Sequence, residues 1–559
     1  MRKNLILICV GFILFACDDF LQLSPLDKPS SETFLRNQSE LLMAVNGCYN
    51  PLFYLIDGNV NFYIQLEATT DIGTNRISGA APVAIANGSI ASDNTWLLNA
   101  WKNYYGGIAS CNYLLDNINH AKEQTEPKIY ERSEGEARFL RAFYYAYLSE
   151  LWGDVPLITN SISISEAQIP KSNKENVTGF ILDELEKAAE LLPWKLENNS
   201  DAGRATKGAA LALHSRIALY NGKWDKAISS AKQLIDQGIY SLHDNYEDLF
   251  LYVGQESKEI IFAIQYKKGE TAHEIPNRFN TRMGGGTTER FPQQALIDAY
   301  ECTDGKTIDR SPLYDPLHPE QNRDPRLGYT VVMPNSIFWG YQFETHADST
   351  ECWNYNLTPP RRVVNNDVLN AYATASGYCW KKYIDPVDRL EIKNSDLNYS
   401  LIRYAEVLLN YAEAKIEKGD IDASVYECIN AVRGRESVNM PPVSQGKNQA
   451  EMRSIIRKER KYELSGEGLR LFDIRRWKLA EEVMPGNVYG RPKISGTSCW
   501  LNEPPSIDQW GTPNYENVSN KTDLRILDTR VFDKNKHYVW PIPKLELDTN
   551  KELVQNPNW

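Results

Sequence analysis

Histidine is scarce. The chain of 559 residues has seven, with no HExxH pattern and no tight cluster, so no catalytic metal centre is indicated. Cysteine is no richer in signal. Nine occur, and Cys9 and Cys17 belong to the leader. The other seven are an odd number without CxxC spacing, which excludes a zinc-finger signature and a complete disulfide framework. Cys48, Cys111 and Cys428 fall on apolar helical faces and read as small buried residues. No G-x-S-x-G stands out for a serine nucleophile. Basic charge is short too: 61 Lys and Arg face 73 Asp and Glu, a net charge of −12. Without a basic stripe, nucleic-acid binding is not expected. The longest apolar run, Leu5–Phe15, is too short to span a bilayer. No cofactor or metal is implied.

That short run has a different use. Arg2 and Lys3 precede it, and Leu14-Phe15-Ala16-Cys17 ends it. The charge order is that of a secretory signal over residues 1–16. A small residue directly before a cysteine resembles the lipobox of bacterial lipoproteins, with Phe15 a mild departure. Cys17 would then be the mature N-terminus and carry acyl chains, anchored by many buried methylenes. A polar tether follows over residues 17–38.

Gly135–Pro156 is the strongest helical stretch. Leu140, Tyr144, Tyr147 and Leu151 recur at helical spacing, and Phe139, Phe143 and Ala146 widen the face. The polar residues Arg138, Arg141, Tyr145 and Ser149 form one narrow stripe. A helix this apolar must be packed on several sides. Further helices are expected at Glu40–Ile56, Trp101–Ile118 and Val177–Leu192. Arg204–Gly238 reads as a helical hairpin turning at Asn221-Gly222. Its Gly222, Trp224, Ala227 spacing recurs as Gly419, Ile421, Ser424 within Arg403–Arg433. Both hairpins resemble degenerate tetratricopeptide units. A third, Glu451–Glu481, breaks at Ser465–Gly468, and Arg457, Glu459, Arg460 and Glu463 can form charge pairs along it.

The expected fold is mostly α: a tetratricopeptide-like scaffold over 39–238 and 399–482, with loop-rich excursions at 239–398 and 483–559 that carry minor β structure. These make one domain over 39–559. Asp57–Asn94 reads as a long loop without sustained helical pattern, of a length that is usually functional or disordered.

The C-terminal half resembles the SusD/RagB family of outer-membrane nutrient-binding lipoproteins. Arg403–Leu409 with Ala412-Glu413-Ala414, Ile456–Glu463 followed by Glu467-Gly468, Arg470, Asp473 and Arg476-Trp477, and Trp540–Pro543 with Gln555–Trp559 are similar to its signatures. So are Asn322–Arg326 and Gly377-Tyr378 with Lys382-Tyr383. The resemblance implies a non-catalytic, surface-exposed lipoprotein on the outer membrane that captures glycans for a SusC-like TonB-dependent transporter. Sugar binding needs aromatic faces for stacking and polar groups for hydroxyls. By loop position and rough similarity to the family, the candidates are Asp71, Arg76 and Trp96 in the first loop, and Trp339, Tyr341 and Trp353 in the Trp339–Tyr355 region. Peptide capture, as in the RagB branch, and a lipid-anchored glycoside hydrolase with two carboxylates are the alternative readings.

Overall fold

The computed structural model describes residues 34–197 and 201–559. The leader, Cys17 and the tether up to residue 33 lie outside them. Ten helices carry the scaffold: α1 Gln38–Tyr49, α2 Thr95–Asn117, α3 Pro127–Trp152, α4 Lys174–Leu191, α5 Lys207–Tyr220, α6 Trp224–Gln237, α7 Tyr404–Lys418, α8 Ala423–Arg433, α9 Gln449–Leu464 and α10 Arg470–Arg476. Consecutive helices from α2 to α8 pack on one another, and α9 lies on α7.

The central helix is α3. Pro127 opens it and Gly153, at φ +78°, closes it. Every residue from Phe139 to Ser149 is buried. Its polar stripe is spent internally. Arg141 donates to Glu184 of α4 (Nε, 3.0 Å) and to Asn112 of α2 (2.8 Å). Gly107 of α2 lies so close to the Tyr144 ring that an added Cβ would sit 2.5 Å from it. Small residues set this helix spacing, as in other close-packed helix pairs.

The two tetratricopeptide-like hairpins stack directly. α6 closes on Gly238 (φ +66°) and α7 on Gly419 (φ +83°), both left-handed caps that favour glycine. α7 packs on α6 although about 170 residues separate them in sequence. The intervening excursion leaves and returns at the same place. Its root is an antiparallel pair, Ile260–Ile264 (β2) with Tyr399–Arg403 (β8). Gly73–Asn75 (β1) pairs with Arg290–Pro292 (β3). The second excursion forms a hairpin-like pair, Gly486–Pro492 (β9) with Leu524–Arg530 (β10). The main hydrophobic cluster runs from Leu35 to Leu553 and takes residues from scaffold and excursions alike, including Phe262, Tyr300 and Trp380.

Two expectations need correcting. Asp57–Asn94 is not an open loop: every residue from Val60 to Asn75 is buried, and short helices form at Phe62–Gln65 and Ala81–Ala86. The segment threads the core because β1 needs β3 from the excursion as its partner. Nor do the charges of α9 pair along the helix. Arg460 bonds Asp473 (2.9 Å), Glu459 bonds Arg326 (2.6 Å) and Arg433 (2.8 Å), and Glu463 bonds Arg403 (2.7 Å), Arg435 (2.9 Å) and Arg326 (3.0 Å). Arg457 lies over the Trp477 and Trp510 rings. The network holds the root of the excursion, since Arg403 ends β8 and also bonds Glu259 just before β2 (2.9 Å).

Glu67 gives a pH test of this buried segment. One of its oxygens accepts the Gly468 N–H at 2.6 Å, and the other has no hydrogen-bond partner in the protein. Burial pushes its carboxyl from 4.5 up to about 8, against the Gly468 N–H and the more distant Lys382 and Arg470. A raised folded value means that stability is full below about 4.5 and is lost as pH rises through about 8. Glu67→Gln imitates the protonated form and escapes that loss. Its melting temperature should match wild type near pH 5 and exceed it by a growing margin towards pH 9. A constant difference across this range would show that Glu67 does not titrate there.

Candidate functional site: an aromatic pair on a four-stranded sheet

The first excursion contains a small antiparallel meander of Ile337–Phe338 (β4), Tyr341–Gln342 (β5), Glu351–Asn354 (β6) and Arg361–Val364 (β7). The β4–β5 connection is the two-residue turn Trp339-Gly340, with φ +48° and +77°. Such turns match the twist of the flanking strands. A Cβ at Gly340 would meet the Asn356 side chain at 2.3 Å, so glycine is required on two counts. The turn is pinned from behind. Arg389 donates to the Trp339 carbonyl and to Asn356 (2.9 Å), and Asn356 donates to the same carbonyl (3.1 Å).

Successive residues of a strand point to opposite faces. In β6, Cys352 and Asn354 are buried, while Trp353 is 37% exposed and Tyr355 just beyond is 44% exposed. The two rings lie 6.4 Å apart, tilted by 32°. Trp353 is the one tryptophan among the described residues that stands in solvent to this degree. Arg362 sits opposite it on β7 and is ion-paired to Glu351 at 3.4 Å. Gln342, on the same face, accepts the Trp353 N–H at 3.3 Å. The face therefore offers two adjacent aromatic surfaces, with a guanidinium and a carboxamide beside them. That arrangement stacks flat, weakly polar C–H surfaces and reads neighbouring hydroxyls.

The other sequence candidates lie elsewhere. Tyr341 pairs with Asn354 and so faces the opposite side of the sheet from Trp353. Trp339 is buried, stacked on Phe338 at 5.9 Å with the Arg389 guanidinium over its ring. It belongs to the main hydrophobic cluster and so anchors the turn to the core. Trp96 is a correction: only 4% exposed, it stacks on Phe62 at 4.8 Å and abuts Trp540 at 5.6 Å. Asn94 caps α2, and Trp96 lies in the first turn, on the face that α2 buries. Asp71 is a second correction. It is 7% exposed and held by both Nε and Nη2 of Arg470 at 2.8 and 2.7 Å. Both of its oxygens are taken by Arg470, and it lies away from the Trp353 face, at the floor of a separate cleft. Arg76 is half-buried. It donates to the Thr287 carbonyl, and its guanidinium lies 5.0 Å from the exposed Tyr372 ring. Gln342 and Tyr355 fall inside the expected Trp339–Tyr355 region without being singled out there, and Arg362 beside Trp353 and Tyr372 beside Arg76 lie outside the sequence candidates. The alternation Glu351-Cys352-Trp353-Asn354-Tyr355 is the signal that could have found Tyr355.

Among the described residues, no cluster of His, Cys, Asp and Glu could hold a metal ion, and no helix is long and apolar enough to cross a membrane. Six of the seven cysteines there are buried, Cys48, Cys111 and Cys428 included, and all seven are free thiols.

Comparison with known proteins agrees with this architecture. A family model described as the SusD family matches residues 258–559, and one described as starch-binding, associating with the outer membrane, matches residues 19–219. A SusD-like protein of Formosa agariphila is 26% identical over 580 residues, covering 97% of this chain and 96% of that one. The starch-binding protein SusD of Bacteroides thetaiotaomicron is 24% identical over 52% of this chain and 55% of its own. A solved SusD-like carbohydrate-binding protein of Bacteroides fragilis superposes with a TM-score of 0.81 at 29% identity, over 93% of this chain and all of that one. On the family match across more than half its length, and on a helical scaffold shared along nearly all of it, the chain belongs to the SusD family.

Proposed function

We propose that the protein is a surface glycan-binding lipoprotein, anchored through Cys17 to the outer membrane. It captures oligosaccharides and hands them to a SusC-like TonB-dependent transporter, without cleaving them. The observation that carries this reading is the solvent-facing Trp353–Tyr355 pair, in a protein whose other tryptophans are buried or partly covered. Two adjacent exposed aromatic rings make a contiguous apolar patch, the kind of surface that marks a ligand-binding or interaction site. A sugar ring suits it, with a C–H face for the rings and hydroxyls for Gln342 and Arg362. The relatives named for carbohydrate and starch binding support the same class.

Calorimetry of the purified protein against panels of neutral oligosaccharides and of peptides, with chromatography of the mixtures for products, tests the function. Saturable binding of at least one oligosaccharide with no cleavage is expected. Peptide binding alone would move the protein to the RagB-like reading, and product formation would make it an enzyme. The anchor has its own test. Metabolic labelling with a fatty acid should mark the wild type and not Cys17→Ala. Equal label in both would remove the lipoprotein assignment.

A further inference from the structure

Beyond the aromatic face the protein holds a cleft of about 520 Å³, lined by none of the residues of that face. Its volume lies within the about 300–1,000 Å³ of small-molecule sites. The floor holds Asp71 just before β1, Lys461 of α9 and Arg530 of β10, with Arg470 of α10 bonded to Asp71, and two of these cations lack a bonded carboxylate. Asp71 is already held by Arg470 through two hydrogen bonds. Lys461, buried on α9, gives hydrogen bonds only to the carbonyls of Trp510 (3.2 Å) and Gly511 (2.9 Å). Its nearest carboxylate oxygen is on Asp71, 3.9 Å away. Arg530, 2% exposed, donates to the carbonyls of Thr70 (2.5 Å) and Gly73 (3.2 Å). Its Nε makes no hydrogen bond and stands 3.6 Å from Asp528. Asp508 also acts on Lys461, and Glu67 and Asp473 on Arg470, but neither the Lys461 ammonium nor the Arg530 Nε has a carboxylate oxygen within hydrogen-bond distance. An uncompensated buried charge is costly, and burial together with Arg470 holds the Lys461 ammonium down to about 7. An anion in the cleft would relieve both.

The rim narrows the choice of anion. Asp508, Glu516 and Glu482 line the mouth. Asp508 accepts the N–H groups of Trp510 and Thr512, and Glu516 pairs with Lys521 at 2.6 Å. These acids disfavour a polyanion but tolerate a single carboxylate on a neutral, hydroxylated body. Tyr489 and Tyr515 form one wall, their rings 5.2 Å apart, and the buried Thr512 hydroxyl has no partner. We infer that this cleft is a second binding site, selective for a monocarboxylate sugar such as a uronic acid, whose carboxylate sits between Lys461 and Arg530.

The test is calorimetry of the whole protein with glucuronate and galacturonate, each against its neutral parent, glucose and galactose. The uronates should bind saturably and raise the melting temperature, while the neutral sugars should do neither at the same concentration. Lys461→Met should weaken uronate binding at least tenfold while melting at or above the wild-type temperature, because it removes a strained charge. Thr512→Val, at the cleft wall, should weaken it less and serves as the folded variant if Lys461→Met does not fold. Equal binding of acid and neutral sugar, no uronate binding at all, or unchanged affinity in the folded variants would overturn the assignment.

Discussion

Glu463→Ala is expected to cost about 3–5 kcal/mol of folding stability, the loss seen when one partner of a buried ion pair is removed. Its carboxylate is fully buried and meets Arg403, Arg435 and Arg326 within 3.0 Å. Removing it leaves three guanidiniums crowded at the root of the first excursion. The damage should spread, because Arg403 ends β8, Glu259 precedes β2 and Glu463 belongs to α9. Denaturant unfolding should show a lower midpoint, and the β2–β8 pair should exchange its amide protons faster. The same cluster sets the response to acid. Burial alone would raise the Glu463 and Glu467 carboxyls, but the surrounding cations hold both below their ordinary 4.5. A depressed folded value gives stability that is present above about 4.5 and is lost as pH falls through the folded value. Melting temperature should therefore drop steeply below about pH 4, and Glu463→Ala should flatten that drop. A variant as stable as wild type would mean that the three arginines find other partners.

What could be read from the sequence follows from how local each signal is. Helix periodicity and the Gly222 and Gly419 turns are written within a few residues, and the hairpins appear where they were expected. Trp96 shows the limit. The sequence reading starts α2 at Trp101, but the helix begins at Thr95. Carried back one turn and a half, the spacing of Ile108 and Tyr104 leads through Ala100 to Trp96, all on the buried face. The error lay in the boundary, and it turned a core residue into a ligand candidate. Asp71 could not be placed in the same way, because its partner Arg470 is 399 residues away and no local pattern joins them. The charges of α9 failed for a related reason. Spacing along one helix permits the pairs, but low exposure and better-placed arginines on other elements take them. Trp353 and Tyr355 were legible in principle, since a strand exposes every second residue.

Trp353→Ala should weaken oligosaccharide binding at least tenfold and leave the fold intact. Stacking against an indole face covers on the order of 60–80 Å² of apolar surface, which at about 25 cal/mol per Å² gives roughly 1.5–2 kcal/mol. Hydrogen bonds at an exposed face exchange with water and return only about 0.5–1.5 kcal/mol each. Stacking is therefore the larger share, and about 1.4 kcal/mol is a factor of ten in affinity. Tyr355→Ala should cost less, and the double variant should bring binding below detection. Neither ring supports the core: Trp353 stands on the outer face of β6, and the inner face keeps Cys352 and Asn354. Melting temperatures should thus stay close to wild type. Trp96→Ala is the contrasting case. It removes a ring packed between Phe62 and Trp540 and should cost about 3–5 kcal/mol of stability. Any loss of binding there would track the unfolded fraction and recover on cooling. If Trp353→Ala and Tyr355→Ala both bind at wild-type affinity, the glycan does not use this face. The uronate-selective cleft would then be the first place to look for it.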